Sequence, residues 1–188
     1  MRMRATAPAD VSAAAAEGEA RVRPAPLEEE VVALFDRLRQ PLLRYLFSFG
    51  LPLADGEEIV QEVFLSLFQH LRRGGSRAHL RAWLFRVAHN LALRRRHRTL
   101  RETGVEAAGT DVIPDPAPDA EEQLITGETG QRLRSVMQAL PQQDRRCLSL
   151  RAEGLRYREI GQVLQMSLGA VSLSLTRSLA RLARAAER

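Results

Sequence analysis

The chain has 188 residues, a net charge of +5 and a sequence pI near 10.7, with 28 basic residues that are all arginine. Cys147 is the single cysteine, which excludes a disulfide framework or a cysteine-based metal site and fits a reducing, cytoplasmic setting. No stretch supplies the ~18 apolar residues of a spanning helix, so no membrane insertion is expected. Arginine grips phosphates bidentately and stacks on bases, so the balance favours a nucleic-acid partner over a metabolite.

Residues 1–26 begin with basic residues and an alanine run, but Asp10, Glu17 and Glu19 interrupt any apolar core of a signal peptide. They read as a disordered extension. From Leu27 to Gly50 the pattern is helical, with Val31, Leu34, Phe35 and Leu38 followed by Leu42, Leu43, Leu46 and Phe47. Pro41 is expected to break or bend this helix near Gln40, and Gly50 to close it in a left-handed conformation. Next, Asp55 with Glu58 forms a capping-box arrangement for a helix running to about Leu71. Val60, Val63, Phe64, Leu67 and Leu71 face inward. Glu57, Glu58, Gln61, Glu62, Leu65 and Gln69 form the other side, acidic first and mildly apolar later.

The charge then changes sign. Residues 27–62 hold eight acids against three arginines, whereas Val63 to Arg101 hold ten arginines, all four histidines and no acid. Acids favour helix N-termini, which accounts for Glu57 and Glu58 alone. Two partners of opposite charge account for the rest: a basic protein surface and a nucleic acid. The loop from Leu71 to Arg77 carries Arg72, Arg73, Gly74, Gly75 and Ser76, with Ser76 expected to cap the next helix.

That helix, His79 to Arg98, carries two stripes. Leu80, Leu84, Val87, Ala88 and Leu91 make an apolar face. Trp83, Arg86, Asn90, Arg94 and His97 share the same spacing on a neighbouring face, thickened by Arg81, Arg95, Arg96 and Arg98. A stacking ring, an amide able to read a base edge and several cations suit exposed single-stranded nucleic acid.

Residues 103–120, with three prolines, four acids and no period, read as a linker. Gln123 to Leu140 turns helical, with Leu133, Val136, Met137 and Leu140 spaced for a core. Pro141 opens a further helix in its first turn and Gly154 terminates it. Cys147 lies on that helix as a small buried hydrophobe, with no base beside it to activate a thiolate. Residues 155–184 then form a helix, a turn at Gln165–Ser167 and a second helix capped by Ser167. Ile160 and Leu164 are apolar on the first helix. Val171, Leu175, Leu179 and Leu182 form the buried stripe of the second, opposite Leu173, Ser174, Arg177, Arg181 and Arg184. Gly161 allows close helix contact. This is a helix-turn-helix pattern, whose second helix enters a major groove.

The segments DGEEIVQEVFLSLFQHL and LRAWLFRVAHNLALRRRHR resemble region 2 of bacterial sigma factors. LPQQDRRCLSLRAEGLRYREIGQVLQMSLGAVSLSLTRSLARL resembles their region 4, and a short acidic linker between the two is similar to the layout of the extracytoplasmic-function (ECF) group. The resemblance implies an all-α protein of two small helical domains, a region 2 bundle over 27–101 and a region 4 helix-turn-helix over 121–188, joined by a flexible linker over 102–120. It implies a specificity subunit of RNA polymerase without catalytic residues or cofactor. Asp55, Glu57, Glu58, Gln61, Glu62 and Phe64 match the motif that docks on the clamp helices of the largest polymerase subunit. Arg81, Trp83, Arg86, Asn90, Arg94 and Arg95, with the loop carrying Arg72, Arg73 and Arg77, match the surface that opens the promoter and binds the non-template strand of the −10 element. The helix from Leu168 to Arg184 corresponds to the one that binds the −35 duplex, and region 4 also docks on the flap of the second-largest subunit. An anti-sigma factor is a further possible partner of this family.

The chain departs from the family pattern at three places. Leu93-Arg94 stands where an acid usually follows, which makes the strand-binding face more basic. Gly169-Ala170-Val171-Ser172-Leu173-Ser174 replaces the common Gly-Thr-Val-Lys-Ser-Arg, removing two cations and a hydroxyl. Arg156 occupies the usual Ser or Thr cap. Phosphate contacts are therefore expected from Arg156, Arg158, Arg177 and Arg181, beside Leu168, Gly169, Ser172, Leu173 and Ser174, with Leu173 placed to touch a thymine methyl. Two other readings make different demands. A stand-alone helix-turn-helix regulator would bind duplex DNA tightly without polymerase, which the missing cations disfavour. An RNA-binding or nuclease-like enzyme would need a metal cluster or a base–nucleophile pair, and His70, His79, His89 and His97, about nine residues apart, do not build one helix face of ligands.

Overall fold

A computed structural model describes residues 26–103 and 127–187. All but the last residue of the expected extension over 1–26, and most of the expected linker over 102–120, lie outside these residues. Among the described residues there are seven helices and no strand. They are α1 (Leu27–Phe47), α2 (Leu53–Arg72), α3 (Leu80–Thr103), α4 (Gly127–Gln138), α5 (Gln142–Ala152), α6 (Tyr157–Leu164) and α7 (Leu168–Ala186). None is long and apolar enough to cross a membrane.

The first three helices form a bundle. α1 buries Leu34, Leu38, Leu42, Leu43, Tyr45 and Leu46, and Glu28, Glu29 and Glu30 occupy its first turn. Acids there suit the positive end of the helix dipole. Of the expected break or bend at Pro41, the break does not occur: α1 runs on through the proline. Its ring removes one backbone bond at a cost of about 3 kcal/mol, but Leu38, Leu42 and Leu43 around it are all buried. Burying a leucine contributes about 2 kcal/mol each, so packing on both sides of the proline outweighs the lost bond. Gly50, at φ 71°, then turns the chain as expected.

α2 begins at Leu53, two residues before the expected cap. Pro52 stands at its N-cap without a side-chain bond, and Asp55 spends its carboxylate on Arg95 instead of on the helix end. α2 buries Ile59, Val60, Val63, Phe64, Leu67 and Leu71. It ends in a left-handed Gly74 at φ 77°, with Gly74 N–H donating to the Leu71 carbonyl and Gly75 N–H to the His70 carbonyl. This pair of bonds satisfies the last carbonyls of the helix. α3 starts at Leu80, and Ser76 does not cap it: the Ser76 hydroxyl accepts from Ala78 N–H.

The last four helices pack a second set of apolar side chains. Pro141 is the N-cap of α5, one place earlier than expected, and Gly154, at φ 83°, ends that helix. Ser167 caps α7 by accepting from Ala170 N–H at 3.2 Å. Gly161 has a specific cause: a Cβ there would lie 2.8 Å from the Met166 carbonyl oxygen, so the turn between α6 and α7 packs on bare backbone. The buried face of α7 is Val171, Ser174, Leu175 and Ser178, with Leu182 partly buried. Leu179, expected inside, is 52% exposed. Cys147 is fully buried, and burial raises its thiol pKa, which keeps the sulfur protonated and inert.

The two sets of helices touch. Glu153, 8% exposed, accepts from the guanidinium of Arg44 on α1 at 2.8 and 2.9 Å. Its backbone carbonyl accepts from Arg81 on α3. Arg146 on α5 lies 4.1 Å over the ring of Phe49, and His79 stands 3.6 Å from Glu159. The apolar core is continuous through this junction.

Candidate nucleic-acid interface

α3 is positioned by what it buries. Ala82, Leu84, Phe85, Ala88, Leu91 and Ala92 go into the bundle, while Leu80 and Val87 are only partly covered. The buried stripe is thus turned slightly from the expected one, toward Phe85 and Ala92. That rotation leaves Arg86, Asn90, Arg94 and His97 exposed on the opposite side, with Trp83 half-buried at the N-terminal end. The expected face is formed: a ring, an amide and two guanidinium groups in one line, free of acidic side chains along its length.

His89 is the one polar residue on the buried side that sequence reasoning did not single out. Its Nδ1 lies 2.7 Å from the Tyr45 hydroxyl, and its ring packs on Tyr45 and Phe49. Burial, with a smaller contribution from the nearby Arg146 cation, pushes its pKa down to about 4. Burial likewise raises the Tyr45 phenol. Both groups therefore stay neutral, and the pair closes a polar contact within the core. The available signal was spacing: His89 follows Phe85 by four residues and precedes Ala92 by three, which places it on the buried stripe.

The loop before α3 joins the Trp83 end of the face. His70, from the last turn of α2, stacks on Trp83 with ring centroids 5.0 Å apart and planes 26° apart. Arg72 leans over Phe68, and Arg73 is exposed. Three expected members of the face point elsewhere. Arg77 pairs with Glu30 of α1 at 3.1 Å. Arg81 donates to the Glu153 carbonyl. Arg95 bonds Asp55 at 3.2 Å and Glu58 at 2.5 Å, and its pKa is raised, chiefly through the bond to Glu58. A small depression beside Trp83 is lined by Ala78, His79, Ala82, Arg86 and, from α6, Gln162.

The acidic side of α2 is the second surface. Glu57 is paired with Arg39 at 2.6 Å, and Asp55 and Glu58 are held by Arg95. Gln61 and Glu62 are exposed beside Leu65, which is 58% exposed. Phe64, which matches the same motif but is also expected to face inward, is buried and meets Phe35 edge-on at 5.0 Å. It supports the surface from beneath, because Val60, four residues back, and Leu67, three residues on, place it on the buried stripe of α2.

On α7, Leu168, Gly169, Ser172, Leu173, Arg177 and Arg181 are exposed, as are Arg156 and Arg158 at the start of α6. Ser174 is the correction: it is 1% exposed and its hydroxyl donates to Asp144 Oδ1 at 2.7 Å. Asp144 itself is buried on α5, with Arg177 3.6 Å away. Ser174 therefore ties the recognition helix to its support and is not available to DNA. The short Arg156–Glu159 bond at the start of α6 replaces the expected hydroxyl cap: the Glu159 carboxylate accepts from Arg156 N–H at 2.7 Å.

Comparison with known proteins agrees with this arrangement. Residues 34–102 match the family model Sigma-70 region 2, and residues 130–182 match Sigma-70, region 4. The chain is 30% identical over 136 residues to the ECF RNA polymerase sigma factor ShbA of Streptomyces griseus subsp. griseus, covering 70% of this chain and 71% of that one. It is 34% identical over 132 residues to the probable RNA polymerase sigma factor RfaY of Xanthomonas campestris pv. campestris, covering 68% of this chain but spanning only 33% of that longer protein. The sigma factor RpoE from Bartonella quintana, solved in complex with the anti-sigma factor NepR, shares the fold with a TM-score of 0.60 at 18% identity, covering 85% of this chain and 96% of that one.

Proposed function

The chain belongs to the extracytoplasmic-function RNA polymerase sigma factors, and from that premise we propose how its surfaces divide the work. The acidic and apolar side of α2, Gln61, Glu62 and Leu65 with Asp55, Glu57 and Glu58, docks on the clamp helices of the largest polymerase subunit. The face of Trp83, Arg86, Asn90 and Arg94 takes the non-template strand of the −10 element as the duplex opens. The recognition helix α7 reads the −35 duplex, and the C-terminal half docks on the flap of the second-largest subunit. The protein carries no catalytic residue of its own in this reading, acts in the cytoplasm, and leaves the chemistry of RNA synthesis to the polymerase. An anti-sigma factor is proposed as a regulatory partner.

The observation that carries the proposal is the α3 face. A duplex-binding helix needs shape and phosphate contacts, whereas this face exposes a ring for stacking beside an amide for a base edge. The ring is useful for stacking only when bases are unpaired, and the amide beside it can then read an edge of the same strand. Arg86 and Arg94 flank Asn90 one turn away on either side, where they reach the phosphates of the same strand. Two region matches within one chain also favour a sigma factor over a stand-alone regulator.

The test is run-off transcription from fragmented source DNA with core RNA polymerase, with and without the protein, mapping the 5′ ends. New starts sharing two spaced upstream motifs support the reading. On a promoter so mapped, Asn90→Ala is expected to reduce permanganate reactivity of the melted thymines far more than duplex binding. Normal melting by this variant would count against Asn90 as the base reader.

A further inference from the structure

We infer that His70 is a positioning residue for promoter opening: it locks the Trp83 ring to the loop 72–77 so that ring and loop present one preset surface to the strand. The inference rests on the proposed role of the α3 face and deepens it.

Two contacts meet on this imidazole, and the loop backbone closes on the same residue. One side stacks on the Trp83 indole, 5.0 Å between centroids and 26° from parallel. Its Nε2 lies 3.1 Å from the Ser76 carbonyl oxygen, so the ring also ties the middle of the loop. The His70 carbonyl accepts from Gly75 N–H at 2.9 Å, which brings the loop backbone down onto the same residue. Finally, a Cβ on Gly75 would fall 2.3 to 2.5 Å from three atoms of the imidazole, so the loop closes on His70 only because residue 75 is glycine. The imidazole could step aside for such a Cβ in an open site. Here it would have to leave both the indole and the Ser76 carbonyl.

The consequence is functional because Trp83 is at the end of the strand-facing line. A tryptophan free to change rotamer costs conformational entropy when a base stacks on it, and holding it in advance removes that cost. The depression beside the indole, lined also by Ala78, Ala82 and Arg86, is where a base is proposed to meet the held ring. The histidine was visible in sequence only as one of four spaced too widely for a metal site. Its role emerges from the loop folding back by one turn.

The test uses the full-length chain, in which Trp83 is the only tryptophan. Acrylamide quenching of its fluorescence in His70→Ala and Gly75→Ala is expected to rise against the parent, since both remove the stacked ring. His70→Phe, which keeps the stack but not the Ser76 contact, is expected to stay near the parent. With core polymerase on a promoter mapped by run-off, His70→Ala and Gly75→Ala should lower the open-complex yield about three- to tenfold, as loss of one aromatic pair implies. Core binding should be unchanged and His70→Phe should recover most of the yield. Unchanged quenching in His70→Ala, or open complexes at parental yield, overturns the inference. If the parent itself opens no promoter, the sigma reading of the α3 face fails instead, and the quenching result still decides whether the ring is locked.

Discussion

α3 and α7 are the two helices proposed to meet nucleic acid, and they treat polar side chains in opposite ways. α3 buries small and apolar groups and sets Arg86, Asn90 and Arg94 outward, with a single polar residue, His89, inside. α7 turns two serines, Ser174 and Ser178, into its core and exposes Leu168, Leu173 and Leu179. The polar groups of α3 thus face outward, while Ser174 of α7 is used in holding that helix to α5. Sequence information is expected to be read mainly at α3. α7 contributes charge through Arg177 and Arg181 and apolar contact through Leu173.

The strongest way to break this comparison is Ser174→Ala. If Ser174 is structural, its loss leaves the buried Asp144 without its hydroxyl donor and costs about 2 kcal/mol, within the range for stranding a buried charged acceptor. Thermal or urea unfolding should show that loss, and duplex binding by the remaining folded fraction should keep its sequence preference. A stable variant with altered preference at the −35 element would mean that the hydroxyl faces DNA after all.

The inward polar residue of α3 gives the next effect. His89 has a folded pKa near 4, below the usual value of 6.5. The unfolded chain therefore takes up a proton first as pH falls, and stability drops across the window from about 6.5 to about 4. Between pH 7 and pH 5 that amounts to about 1–2 kcal/mol. His89→Gln retains a partner for the Tyr45 hydroxyl and cannot titrate, so its stability should change less over the same interval. Equal acid sensitivity in both proteins would show that other groups set the dependence.

These inward contacts also show what was legible in the sequence. The helices themselves were, because runs such as Val60, Val63, Phe64 and Leu67 hold a 3.6-residue period that few alternatives satisfy. The Trp83–Asn90 line was legible for the same reason. Misplaced details came from competition between a local rule and packing. Asp55 has the chemistry of a cap, but Arg95, forty residues on, offers a full charge. Leu179 has the hydrophobicity of a core residue, but the next position back, Ser178, sits on the buried side of α7. Phe64 fell between a motif and a core stripe, and the core took it. The contact between the halves was not legible at all: Arg44 and Glu153 are 109 residues apart, and no periodicity relates two charges brought together by tertiary packing.

The mildest perturbation sharpens the comparison where it is narrowest, at the outward cations of α7. Arg177 is 57% exposed on its side chain and lies 3.6 Å from Asp144, an ion pair too open to contribute much stability. As a phosphate contact it should act uniformly on all duplex sequences. Arg177→Ala is then expected to weaken duplex binding by the holoenzyme several-fold and to reduce the slope of log K against log salt by about 1. The ranking of −35 variants should not change. Asn90→Ala should do the reverse at the other helix, leaving the salt slope alone while lowering discrimination among melted −10 sequences. A change of −35 ranking in Arg177→Ala would place a base contact on α7, and the division of labour between the two helices would have to be redrawn around that guanidinium.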